Sequence, residues 1–213
     1  MAFPIHELAA LGSSTCWATT GIFASDAISA LGAFHFNLLR QGFVTLILAG
    51  IVLATGSLDL PGPEGVALLA LSGLVGILLG DTFNFAAVGR LGPRRAGAVF
   101  ALNAPMAAVL GWLVLGERLG GQAVLGIGVT IAGVALAILG RPGEGAHRFE
   151  QMRGQFRTGL AFGLCAALGQ AIGALIARPY MAGGLDPYLG SLLRVGASGV
   201  AMGLVATLPF APR

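Results

Sequence analysis

The chain has 213 residues and a formal net charge of +3; 56% of its residues are hydrophobic and only 10% are charged. Soluble domains carry about 25% charged residues, so these few charges could not cover the surface of a water-soluble globule. Apolar runs of more than about 18 residues recur without the alternation of a transmembrane barrel, which predicts an all-α, polytopic transmembrane helix bundle in a lipid bilayer.

About seven membrane-spanning helices are predicted in chain order. Turn signals separate them, among them Gly32 after the first helix and Gly92-Pro93 after the third. The segments lie at 5–25, 37–55, 64–89, 95–116, 121–140, 158–178 and 188–208. A polar, Arg-rich linker at 141–157 separates the fifth helix from the sixth, so the chain divides into a five-helix unit at 1–140 and a two-helix unit at 158–213.

The two units resemble each other weakly. Residues 8–55 align with 160–207, with Gly21 matching Gly173 and Arg40 matching Arg194. A unit with an odd number of helices makes the next unit start from the other side of the membrane, so the repeats would be inverted, an arrangement that recurs in transporters. Arg40 and Arg194 would then lie near opposite membrane faces.

The stretch 80–137 resembles the third to fifth helices of EamA-type members of the drug/metabolite transporter superfamily. The resemblance rests on Pro105, on the sequence Gly-Glu-Arg-Leu at 116–119, on Gln122 and on the glycines that follow it. Trp17 and Arg40 also fit the family's pattern. It covers 1–140 well and 158–208 moderately.

The resemblance implies a ten-helix secondary transporter of small organic metabolites, built from two inverted five-helix repeats and working by alternating access. Helices eight to ten have no counterpart here, so the second repeat is expected to be incomplete. The alternative is a non-transporting membrane module: a truncated fragment, or a subunit that needs a partner chain to complete the bundle.

Asp81 is the most informative single residue, because an ionisable group deep in an apolar helix usually faces a polar cavity or a partner. Arg40 enters the membrane from the same side, and the two positions differ in depth by about 7–8 Å, which an arginine side chain can bridge. We therefore predict an Arg40–Asp81 pair that lines the substrate path. In the alternative, Arg40 reaches the headgroups and Asp81 makes a structural hydrogen bond.

Other intramembrane residues are candidates for the same pathway. Asn84 and Asn103 either bind substrate or join helices through hydrogen bonds, the second interpretation being favoured. Pro105 should kink the fourth helix or free a carbonyl, and Gln170 is a weaker candidate on the sixth helix. The full set of pathway candidates is Trp17, Arg40, Asp81, Asn84, Asn103, Pro105, Gln170 and Arg194.

Three glycine pairs have the spacing of closely packed helices, although 35 glycines make such spacings common by chance. These pairs are Gly76/Gly80, Gly169/Gly173 and Gly199/Gly203. Cys16 and Cys165 lie in apolar runs and are predicted to be small buried residues rather than a disulfide.

Enzyme chemistry is not predicted: the sequence offers no catalytic residues, cofactor motif or metal site. His6, His35 and His147 lack metal-ligand spacing. Nor is a nucleic-acid partner expected, because the arginines cluster at helix ends and in the linker.

The bacterial cytoplasmic (inner) membrane is the expected location. The arginine distribution places the N-terminus outside, whereas the family resemblance places it inside. Coupling to a proton or another ion, assembly into a homo-oligomer and the identity of the metabolite stay open.

Overall fold

The structure is a computed structural model that describes residues 5–140 and 154–208. All regular structure in these residues is helical, which confirms the predicted fold class. Within them, six helices are long and apolar enough to span a membrane. Large apolar side chains such as Phe23, Phe43 and Leu136 cover the outside of the bundle, as a surface in contact with lipid requires. Most of the predicted linker, including His147, lies outside the described residues.

The first helix, α1 (Ile5–Thr55), is a hairpin. Its 51 residues would reach about 76 Å if straight, but the backbone breaks at Gly32, with φ 77° and ψ 160°. A straight helix would separate Trp17 from Arg40 by about 34 Å. Instead, the guanidinium carbon of Arg40 lies 5.5 Å from the centre of the Trp17 ring. The limbs 5–31 and 33–55 therefore fold back on each other at the predicted turn, with helical structure continuing closer to Gly32 than predicted.

The chain after the α1 hairpin, from Gly62 to Leu91, is called the second span and combines three helical segments without a turn. Helix α2 (Gly62–Gly73) continues into a π-helical segment (Leu74–Asp81), which continues into α3 (Thr82–Leu91). The span ends at Gly92, whose φ of 80° and ψ of 160° nearly repeat those of Gly32. Eight residues of π-helix are unusual, and π-helical segments are frequent at functional sites.

The third span is interrupted where the sequence predicts a kink. Helix α4 (Pro93–Phe100) and helix α5 (Asn103–Leu115) are separated by two residues in a turn. Pro105 has no N–H to donate to the carbonyl of Ala101, four residues earlier, so the helical ladder fails at that point.

Three further helices complete the described bundle. Helix α6 (Gly121–Leu139) is peripheral, with Val134 buried and most other side chains facing outward. Helix α7 (Phe156–Ala182) packs against α2, the π segment, α3 and α5, and α8 (Pro187–Ala206) packs against α1 and α2.

Backbone contact between glycines joins α7 to the second span. A Cβ on Gly173 would lie 2.8 Å from the Cα of Gly76, and a Cβ on Gly169 would lie 3.3 Å from the Cα of Gly80. Two of the three predicted glycine pairs therefore face each other. In the third pair, a Cβ on Gly199 would lie 3.6 Å from Thr45 Oγ1 on α1, an ordinary contact, and a Cβ on Gly203 would meet no described atom within 4 Å.

The prediction of buried cysteines is wrong. Cys16 and Cys165 are both free and both exposed on the bundle. An apolar run in a membrane helix includes residues on its outward face, so hydropathy alone does not place a small side chain in the core.

Candidate functional site

An ion pair between Arg40 and Asp81 lies in the middle of the bundle. Arg40 extends from the second limb of α1, and its Nη2 donates to Asp81 Oδ2 at the end of the π segment. Asp81 is only 4% exposed, so solvent screens the pair weakly. The predicted contact is present; its place in a substrate path stays a prediction.

A second set of polar groups holds this pair in place. Asn37 Nδ2 donates to the carbonyl of Ile77 (3.2 Å) and to Thr82 Oγ1 (2.9 Å), both on the second span. Its Oδ1 accepts from Gln41 Nε2 at 2.9 Å and from Arg40 Nη2 at 3.4 Å. Asn37 and Gln41 are almost fully buried. The sequence analysis missed both, although their four-residue spacing around Arg40 in an apolar run was an available signal.

Arg194 lies near the same carboxylate, which makes the prediction that Arg40 and Arg194 occupy opposite membrane faces wrong. Asp81 interacts electrostatically with both guanidinium groups. Arg40 is the eighth residue after Gly32, and Arg194 is the eighth residue of α8. Each therefore lies about 12 Å into its helix, close to the centre of a core about 30 Å thick.

A cavity of about 920 Å³ opens beside the ion pair. It lies between the first limb of α1, Arg40, α3, the α4–α5 break and α7. Five of the predicted pathway residues line it: Trp17, Arg40, Asn84, Asn103 and Gln170. The cavity lining does not include Asp81, Pro105 or Arg194 among its described residues. Asp81 contacts it through Arg40, and Pro105 shapes it through the break at Ala101, which does line it.

Aromatic rings form one wall of this cavity. Trp17 and Phe100 have ring centroids 5.7 Å apart with their planes tilted by 40°. The Arg40 guanidinium lies between aromatic faces, 5.5 Å from the Trp17 ring and 5.1 Å from the Phe85 ring. Such contacts stabilise a cation and hold Arg40 toward Asp81.

The amide side chains do not make the interhelical hydrogen bonds that were favoured. Asn103 Nδ2 donates at 2.7 Å to the carbonyl of Phe100, three residues earlier in the same span. Asn84 is 7% exposed, and its Oδ1 has no hydrogen-bond partner among the described residues. The same holds for Gln170 Oε1. Two amides from different helices thus bring buried, unpaired acceptors to one cavity.

The described residues 5–140 and 154–208 contain no group of three or more His, Cys, Asp or Glu side chains placed to hold a metal ion. The polar groups that line the cavity are instead the guanidinium groups of Arg40 and Arg94, amides and hydroxyls, which are suited to binding a solute reversibly.

A bundle of apolar helices around a polar internal cavity with a buried ion pair defines a polytopic membrane protein of the transporter type. The model of the EamA-like transporter family matches residues 5–139. Because this is more than half of the chain, the protein belongs to that family, as the sequence analysis predicted. No curated protein and no solved structure matches the chain.

Proposed function

We propose that the protein is a secondary transporter of small organic metabolites that binds its solute in the cavity beside Arg40 and Asp81. The observation that carries the proposal is the buried ion pair at the wall of a 920 Å³ cavity. Ionisable groups inside a membrane bundle are costly and mark transport pathways more often than they stabilise the fold. A cavity of this volume suits a small molecule.

Alternating access is the proposed mechanism, and two features support it. The Gly76–Gly173 and Gly80–Gly169 contacts have no interlocking side chains, so a movement of the second span along α7 would mainly break the hydrogen bond from Ser72 Oγ to the Gly173 carbonyl. The π segment ends at Asp81, and its conversion to α-helix would turn that carboxylate relative to Arg40. A movement between helices would therefore change the contacts of the charged pair.

The energy source is proposed to be a solute or ion gradient. The chain has no Lys and so no phosphate-binding loop of the kind that nucleotide-driven pumps use. The proposed location is the cytoplasmic membrane of a bacterium. The five-helix unit at 1–140 is proposed as the transport repeat, with 158–213 contributing Gln170 and Arg194.

The test is transport by Asp81→Asn. Export from bacterial cells is compared by metabolite profiling for the wild type, Asp81→Asn and Glu64→Gln. The last is the matched control, since Glu64 is an exposed acid on the same span. We expect Asp81→Asn to abolish the exported signal while its membrane-inserted amount equals that of the control. Full export by Asp81→Asn would overturn the proposal.

A further inference from the structure

The central charge cluster, defined as Arg40, Asp81 and Arg194, is not neutral. It holds two guanidinium groups and one carboxylate. Arg194 lies against the π segment that carries Asp81, with its Nη2 3.7 Å from a Cβ placed on Gly76, and it makes no ion pair with a carboxylate of the described residues. Arg40 is the direct partner of Asp81, so the excess positive charge lies on Arg194. A charge inside a membrane bundle requires a counter-charge.

The excess charge lies next to the cavity. From a Cβ placed on Gly76, Arg194 Nη2 would be 3.7 Å away and Gln170 Oε1 would be 3.1 Å away. The two side chains are therefore neighbours on the same patch of the second span. Gln170 lines the cavity, so a solute that displaces or contacts this amide reaches the guanidinium of Arg194.

The polar atoms around this point lack partners. Arg194 Nε and Gln170 Oε1 are buried, and neither makes a hydrogen bond to a described residue. Buried polar groups are usually satisfied, and unsatisfied ones beside a cavity indicate where a ligand binds. Arg194 Nε is an unsatisfied donor that an anion would satisfy, whereas Gln170 Oε1 is an acceptor; the Gln170 amide contacts an anion when it is turned so that its nitrogen replaces its oxygen.

We propose that the cavity binds a monovalent anion whose negative charge lies between Gln170 and Arg194 and neutralises the central charge cluster. The transported metabolite is thus a monoanionic solute, such as a carboxylate, whose apolar part packs on Trp17 and Phe100. Among the described residues that line the cavity there is no Asp or Glu, whereas Arg40 and Arg94 both line it, so the formal charges of that lining favour an anion. This inference rests on the proposed function for transport, but its binding test does not require transport to occur.

Binding is measured on the purified full chain in lipid nanodiscs with three solutes of one size: benzoate, benzamide and benzylammonium. Isothermal titration in sodium sulfate, whose anion is divalent, is compared with titration in sodium chloride at the same ionic strength. We expect benzoate to bind at least tenfold more tightly than the neutral and the cationic solute. Equal or tighter binding of benzamide or benzylammonium would overturn the proposal.

The chloride arm separates two sources of the anion. If chloride competes with benzoate, the site accepts any monovalent anion, and the anion site is confirmed as a general one. If chloride does not compete, the site is selective for the organic carboxylate. Both results support the counter-charge, and they differ only in which anion supplies it in the cell.

Two variants give opposite results that a merely structural role would not produce. Arg194→Gln removes the excess charge, so benzoate affinity should fall at least tenfold. Asp81→Asn raises the excess charge, so benzoate affinity should rise severalfold although transport fails. The matched control is Arg178→Gln, an arginine on α7 that is half exposed and paired with Glu117, and it should leave affinity unchanged.

If Arg194→Gln does not fold, Asp81→Asn still decides the question, because weaker benzoate binding in that variant would contradict the proposal. Benzoate binding by a wild-type protein that exports no metabolite in the profiling experiment would overturn the proposed transport function and leave the anion site standing. Transport of a neutral or cationic solute without anion binding would support the transport function and overturn the anion site.

Discussion

Arg40 and Asp81, 41 residues apart in the chain, meet inside the bundle as an ion pair between the hairpin of α1 and the second span. Breaking a buried pair leaves an uncompensated charge and costs about 3–5 kcal/mol. Arg40→Gln leaves Asp81 near Arg194, so it should destabilise the protein by less than that amount, and Arg40→Gln with Asp81→Asn should cost less than the sum of the two single variants. Unfolding in mixed detergent micelles measures both. Additive costs would show that the pair does not couple the two spans.

The Glu117–Arg178 pair provides the contrasting case. Glu117 follows α5 and Arg178 belongs to α7; their atoms are 3.0 Å apart, with 37% and 50% of the side chains exposed. Exposed pairs contribute about 0–1 kcal/mol. Glu117→Gln should shift the same unfolding transition by less than about 1 kcal/mol, with an effect that decreases in high salt. A loss as large as that of Arg40→Gln would mean that this pair is also buried in the lipid-embedded protein.

The contact between α7 and the second span should tolerate no side chain at Gly173. Its Cβ would lie 2.8 Å from Gly76 Cα and 2.9 Å from the Ser72 carbonyl, and both neighbours are backbone atoms. Gly173→Ala should cost about 1–3 kcal/mol, as other overpacked sites do. The control is Gly203→Ala on α8, where a Cβ meets no described atom within 4 Å. A neutral Gly173→Ala with unchanged thermal unfolding would contradict the close approach.

The turn of α1 requires glycine for its backbone alone. At Gly32, φ 77° with ψ 160° is a conformation that essentially only glycine adopts, and forcing another residue into it costs about 1–3 kcal/mol. Space is not limiting, because a Cβ there would have no described neighbour within 4 Å. Gly32→Ala should therefore lower stability, whereas Gly42→Ala, inside the second limb, should be neutral or stabilising. Equal thermal stability of the two variants would argue against the hairpin.

Sequence reasoning reached part of the site because helix geometry is regular. The rise per residue was enough to place Arg40 beside Asp81, and the missing N–H of Pro105 was enough to predict a kink in the helix that contains it, although not its position at Ala101. Sequence reasoning failed for Arg194 because it placed this residue from the inverted-repeat alignment with Arg40. The depth of each arginine depends instead on where its helix begins. The second limb of α1 begins at 33 rather than 37, which moves Arg40 about 6 Å deeper.

Other features could not be predicted from the pattern. The π segment Leu74–Asp81 has the same apolar composition as a membrane-spanning α-helix. Its eight residues are too few to show a difference in the number of residues per turn. The partners of Asn37 lie on another span, so its role depends on tertiary contacts. Cys16 is exposed because it lines the cavity, and the exposure of Cys165 likewise depends on which way its helix faces; a continuously apolar run records neither.

Trp17 should report on occupation of the cavity. The chain has two tryptophans: Trp17 lines the cavity and packs near Phe100 and Arg40, whereas Trp112 is 52% exposed on the bundle surface. In Trp112→Phe, all tryptophan emission comes from Trp17, so benzoate binding should change its intensity and wavelength along the same saturation curve as the calorimetric titration. Trp17→Phe keeps an aromatic wall and leaves Trp112 as the emitter, so its emission should not respond. A response from Trp112 instead would place the bound solute outside the cavity, on the face that meets lipid.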